Sequence, residues 1–128
     1  MSFKKLRGFY GDAAINRFTA GADVADGDVV VSNTRVGVVH DERGQGVASG
    51  DEGLAIFATD EKGIEMPKAT GAISQNAKVY WNPTGDPIGG TAGTGAVTAT
   101  ASTNLYLGRA VEAAASGDAT VIVHLTNE

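Results

Sequence analysis

Cysteine does not occur in this 128-residue chain. Its absence excludes disulfides, thiolate nucleophiles and Cys-ligated zinc, and with them a crosslinked secreted scaffold. Histidine is nearly as scarce, with two residues, and aromatics are only 6% of the sequence. Two isolated histidines, with no plausible nucleophile or further ligands around them, argue against an enzyme. Positive charge is also in deficit: 10 Lys and Arg against 15 Asp and Glu leave a net charge of −5. Nucleic acid is therefore not an expected partner, since phosphate binding needs clustered Lys and Arg. No stretch approaches the roughly 18 apolar residues of a membrane span, so no membrane partner is expected either. The basic start Met1-Ser2-Phe3-Lys4-Lys5-Leu6-Arg7 runs into Gly8-Phe9-Tyr10-Gly11-Asp12 rather than an apolar core, and so does not read as a secretory signal.

What the chain does have is glycine, 18 residues of it. Three Gly-Asp pairs lead into β-type runs: Gly27-Asp28 before Val29-Val30-Val31, Gly50-Asp51 before Leu54-Ala55-Ile56-Phe57, and Gly117-Asp118 before Val121-Ile122-Val123. Glycine tolerates positive φ and aspartate hydrogen-bonds nearby backbone, so each pair reads as a turn that delivers the chain into an extended segment. Short apolar runs bounded by Gly, Asp, Asn and Pro predict strands over 15–19, 28–32, 35–40, 53–59, 63–66, 78–81, 96–100, 105–113 and 120–125. In the last of these, Val121, Val123 and Leu125 share one face, with Ile122 and His124 on the other. Leu105, Leu107 and Val111 alternate in the same way, and Arg109 in that register belongs near a strand end or a subunit contact. Residues 69–76 are the best candidate for a helical turn, with Thr70 able to cap it and Asn76 able to end it. Residues 110–116 could also continue helically, although extension fits them better.

The expected fold is all-β: a small single-domain β-sandwich or partly open β-barrel of short strands, with at most one or two short helical turns. Residues 1–12 form an extended N-terminal arm with neither helical nor strand period, and residues 13–128 a single β domain with one compact core. Within it, residues 83–95 are dense in Pro and Gly and predict a long mobile loop. Apart from the Gly-Asp turns, no internal repeat of constant period is evident.

Motifs for chemistry are few. The stretch Gly89–Gly95 lacks the Lys-Ser/Thr of a phosphate-binding loop. Asp23, Asp26 and Asp28 do not have the spacing of a calcium loop, so a solvated turn is the better reading. His40 is followed by Asp41 and Glu42, but neighbouring residues on a strand point to opposite faces, which works against a base and an orienting carboxylate. His124 reads as a structural or interface histidine. No cofactor and no metal is expected. Contact residues are easier to find. In the arm, Phe3, Leu6, Phe9 and Tyr10 interleave with Lys4, Lys5 and Arg7, a sticky cationic ribbon on an acidic protein that can dock as an added strand. In Tyr80-Trp81 one ring should face the core and the other outward, so the pair, with Arg109, is a candidate subunit interface.

The ordered series Ala25-Asp26-Gly27-Asp28-Val29-Val30, Val36-Gly37-Val38-Val39, Ser49-Gly50-Asp51-Glu52-Gly53, Met66-Pro67-Lys68-Ala69-Thr70-Gly71, Lys78-Val79-Tyr80-Trp81-Asn82, Leu107-Gly108-Arg109-Ala110-Val111-Glu112-Ala113 and Gly117-Asp118-Ala119-Thr120-Val121-Ile122-Val123-His124-Leu125 resembles the capsid cement, or decoration, proteins of tailed bacteriophages and prophages. The resemblance implies a non-enzymatic virion protein, made in the host bacterial cytoplasm, that sits on the outer surface of the phage head and stabilises the shell. It implies the major capsid protein as partner and a homo-oligomer, a trimer being favoured. Capsid contact then falls to Phe3, Lys4, Lys5, Leu6, Arg7, Phe9 and Tyr10. Members of this family have sometimes been labelled recombinases, and this sequence lacks the P-loop that such an ATPase needs. Two other readings are weighed: another phage structural component, such as a head-fibre base or minor tail protein, and a small carbohydrate-binding module using an outward Trp81 and the 82–95 loop.

Overall fold

A computed structural model describes residues 14–41 and 43–126, so the arm lies outside the described residues. The chain is all-β: no helix occurs among the described residues, and nine strands form two antiparallel sheets. The strands are β1 (Ala14–Thr19), β2 (Val29–Ser32), β3 (Arg35–Val39), β4 (Glu52–Ala58), β5 (Ile64–Pro67), β6 (Lys78–Asn82), β7 (Ala96–Thr98), β8 (Leu105–Ala110) and β9 (Thr120–Leu125). They fall into two compact units, one ending at Thr59 and the other starting at Asp60.

The first unit holds a four-stranded sheet in the order β1-β4-β3-β2. Phe18, Ala20, Val39, Ala55 and Phe57 form its buried cluster, with Val24, Val30 and Val47 packed against it. Arg35 lays its guanidinium over the Phe57 ring, 5.1 Å from the centroid, and an exposed pair joins Arg17 to Glu52 at 3.7 Å across β1 and β4.

The second unit holds a five-stranded sheet in the order β5-β9-β8-β6-β7. Met66, Val79, Trp81, Leu107, Val121, Val123 and Leu125 are buried there, so the predicted period-two face of β9 points inward. A single parallel bridge from Lys68 to Val97 joins the two edges of this sheet without closing it into a barrel. Gly108 sits where β8 passes β9 so closely that a Cβ would fall on the His124 carbonyl oxygen, and at φ 154° it can be little other than glycine.

With β7 set aside, the two units have one topology: β1, β4, β3, β2 correspond in order to β5, β9, β8, β6. The correspondence extends to the turns. Asp28 N–H donates to Ala25 O, Asp51 to Ala48, Ala77 to Ser74 and Asp118 to Ala115, all at 2.9–3.1 Å. In each case the residue just before the turn makes an isolated bridge, Val24 with Val47 and Ile73 with Ala114. All three predicted Gly-Asp turns are therefore present, and Gly27 and Gly50 have φ of 90° and 87°. The fourth turn is the segment expected to be helical: residues 69–76 carry the Ile73 bridge and a turn at Gln75-Asn76 instead. Asn76 adopts φ 67°, standing in for glycine, because asparagine tolerates the left-handed region that the turn requires. The stretch after Ala110 is likewise neither helix nor continued strand, since Ala114 is drawn into the bridge with Ile73.

Candidate functional site

The aspartates leading into β2 bind backbone, and they bind in different directions. Asp23 Oδ1 accepts the Ser49 N–H at 2.9 Å, Asp26 Oδ1 accepts that of Asp41 at 2.8 Å, and Asp28 Oδ2 accepts that of Ala25 at 2.9 Å. Asp23 and Asp26 thus lash the segment before β2 to the 41–49 loop, while Asp28 closes the turn itself. Among the described residues no group of three or more His, Cys, Asp or Glu is placed to hold a metal ion.

A cavity of about 360 Å³ opens in the first unit beside His40, Asp41, Arg43, Asp51 and Glu52. Its one acid–histidine neighbourhood is committed to loop closure: Asp41 Oδ2 accepts the Gly46 N–H at 2.6 Å, and Oδ1 that of Arg43 at 3.2 Å. Desolvation alone would raise the Asp41 carboxyl. Backbone donors from Gly46, Arg43 and Gln45, with the Arg43 guanidinium, outweigh it and hold the group below its ordinary value. An aspartate held ionised by its own loop is a structural anchor.

In the second unit the aromatic pair divides as expected between inside and outside. Trp81 is buried, at 4% exposure, so the outward anchor that the carbohydrate reading required is not there. Tyr80 is half-buried and meets Tyr106 edge-on, with centroids 5.6 Å apart. Arg109 is exposed near the end of β8 and donates from Nη1 to Asn76 O at 2.9 Å, the first of the two placements, strand end or subunit contact, that its register predicts. The 82–95 loop is present and tied internally: Asp86 Oδ1 accepts the Gly93 N–H at 2.8 Å, and Gly95 N–H donates to Gly85 O at 2.9 Å.

Two features have no counterpart in the motif reading. Lys68 is fully buried, and its ammonium donates to three backbone carbonyls, Ala69 O at 3.0 Å, Ser116 O at 3.2 Å and Asp118 O at 3.4 Å. Only its flanking Pro67 and Gly71 hinted at a special position. The other is the edge strand β2, whose Val31 is the exposed large hydrophobic of the described residues, at 43%. Among the described residues no helix is long and apolar enough to cross a membrane.

The described residues thus form an all-β body in which several aspartates bind turn backbone, with an open strand edge and half-buried aromatics at its surface. The chain belongs to the phage cement protein family, whose model matches residues 11–125. Its role is thus structural, in association with a phage capsid. No curated protein and no solved structure matches it.

Proposed function

We propose that this chain binds the outside of the assembled phage head and stabilises the shell by adding contacts across joints between capsid subunits. The observation that carries the reading is the family match over nearly the whole chain. Binding only the assembled lattice stabilises that form by mass action; at a free concentration 100 times Kd each site contributes about 2.7 kcal/mol, so many modest contacts sum over a head. Residues 3–10 of the arm engage the major capsid protein as an added strand or an ordered clamp. The β body self-associates, a trimer being favoured, with Tyr80 and Arg109 as contact residues, and Trp81 supports that surface from the core.

Light scattering of the free protein and cosedimentation with undecorated, expanded heads test this reading. An oligomer that sediments with heads is expected, and deletion of residues 2–10 should leave a folded protein that no longer does so. A monomer that ignores heads would remove the reading, and normal decoration by the deletion variant would remove the role of the arm.

A further inference from the structure

In the second unit the outer edge of β6 is covered. β7 runs antiparallel along it, with Tyr80 opposite Thr98, Trp81 opposite Val97 and Asn82 opposite Ala96, and the segment between β6 and β8 supplies that strand. The corresponding edge of the first unit, β2, has no such partner among the described residues. The connection from β2 to β3 is only Asn33-Thr34, too short to fold back as a cover. One copy of the repeated topology therefore shows what the other lacks.

The register says which groups are left over. β2 pairs with β3 as Val29↔Val38, Val30↔Gly37, Val31↔Val36 and Ser32↔Arg35, and Val39 N–H donates to Asp28 O at 2.8 Å. In an antiparallel ladder hydrogen-bonded pairs alternate with non-bonded ones. Asp28, Val30 and Ser32 thus bond toward β3, and the N–H and C=O groups of Val29 and Val31 point out of the sheet edge. Nothing in Val29-Val30-Val31-Ser32 is charged, and Val31 is exposed. A bulge at Gly27-Asp28 opposite Val39 and the charge of Asp28 mark the start of this edge, but the four residues that follow carry neither charge nor proline.

We propose that the open edge of β2 is the docking site for an extended segment of the capsid subunit, which adds to the first sheet as β7 adds to the second. The proposal rests on the cement reading above. The matching segment has the chemistry of Ala96-Val97-Thr98, short uncharged side chains with β-branching, and it carries a Lys or Arg at the end that meets the exposed Asp26 and Asp28. β1, the strand that follows the arm in sequence, lies at the opposite edge of the same sheet, and the arm has the capsid role proposed above. Val36, Val38 and Ile56 behind the edge are buried, so the added strand lands on a rigid template.

Val31→Pro deletes one outward N–H and leaves the β2–β3 ladder intact, since proline is tolerated where an edge N–H faces solvent. It should weaken cosedimentation with undecorated heads at least tenfold while solution mass and thermal unfolding stay at parental values. Unimpaired binding would overturn the proposal. Because the chain has no cysteine, Val31→Cys carries a benzophenone maleimide at one site, and irradiation on decorated heads should crosslink it to one peptide of the capsid subunit. A crosslink to another cement copy, to its arm, or to nothing would overturn the proposal, and this outcome decides the matter should Val31→Pro fail to fold. If the parental protein itself does not sediment with heads, the cement reading fails; if it does and the Val31 variants behave as parental, only the β2 site fails.

Discussion

Lys68 shows how much one residue can settle that its neighbours cannot. A buried ammonium normally seeks a carboxylate, yet this one is satisfied by three carbonyls, two of them at the turn before β9. That turn is the irregular member of the four. Gly117 lacks the positive φ that Gly27, Gly50 and Asn76 adopt, and Lys68 N–H reaches Ala119 O at 3.0 Å. The lysine thus binds the turn through main chain and side chain together. Lys68→Met preserves much of the volume but strands the carbonyls, and the net loss should be about 2–4 kcal/mol given the usual cost of unsatisfied buried groups. Urea unfolding measures it, and a variant as stable as the parent would show that the ammonium contributes nothing. From sequence alone Lys68 was only one letter in a family motif. Its burial follows from the bridge between Lys68 and Val97, a long-range contact with no local signature.

At the scale of the turn, the carboxylates act as lashings. Asp41 closes the 41–46 loop with two backbone donors, and its carboxyl is held below the ordinary value of 3.8. A carboxyl depressed in the folded state contributes stability above its unfolded pKa and loses that contribution as the pH falls through the folded one. Asp41→Asn should therefore unfold at a lower temperature than the parent near neutral pH, and the difference should close as the pH drops below about 4. Thermal melts across that range check it; a difference that does not change with pH would mean that the negative charge is not what the loop uses. The turns themselves were readable from sequence where Gly-Asp marked them. The fourth was not, because Gln75-Asn76-Ala77 performs the same turn without either letter, and Thr70 and Asn76 mimic helix ends. The repeated topology has one verbatim counterpart in the sequence, Ala48-Ser49-Gly50-Asp51 and Ala115-Ser116-Gly117-Asp118. It shows no constant period in the sequence, because the segment carrying β7 lengthens one copy. The strands fared better, since β9 and β3 are set by alternation and β-branched content that local sequence displays. The division between Trp81 and Tyr80 needed the sheet itself, because alternation says that one ring is inside without saying which.

For the whole molecule the decisive quantity is how charge is distributed. The chain is acidic, at −5, while Lys4, Lys5 and Arg7 are concentrated in its first residues. On the reading proposed above, an arm of sign opposite to its own body is steered toward acidic groups on the shell. Such steering acts on the association rate and is screened by salt, whose Debye length is about 10 Å at 0.1 M and about 3 Å at 1 M. Replacing Lys4, Lys5 and Arg7 together by Gln should slow decoration of heads about tenfold or more at low salt, and the two proteins should converge as salt approaches about 1 M. Stopped-flow light scattering on heads mixed with labelled protein reads the rate directly. The aromatic and aliphatic groups Phe3, Leu6, Phe9 and Tyr10 are untouched by this change, so the bound state should survive with a dissociation rate close to that of the parent. A parental rate that does not respond to salt would mean that the cations do not guide docking, leaving the apolar half of the arm and the β2 edge to account for attachment.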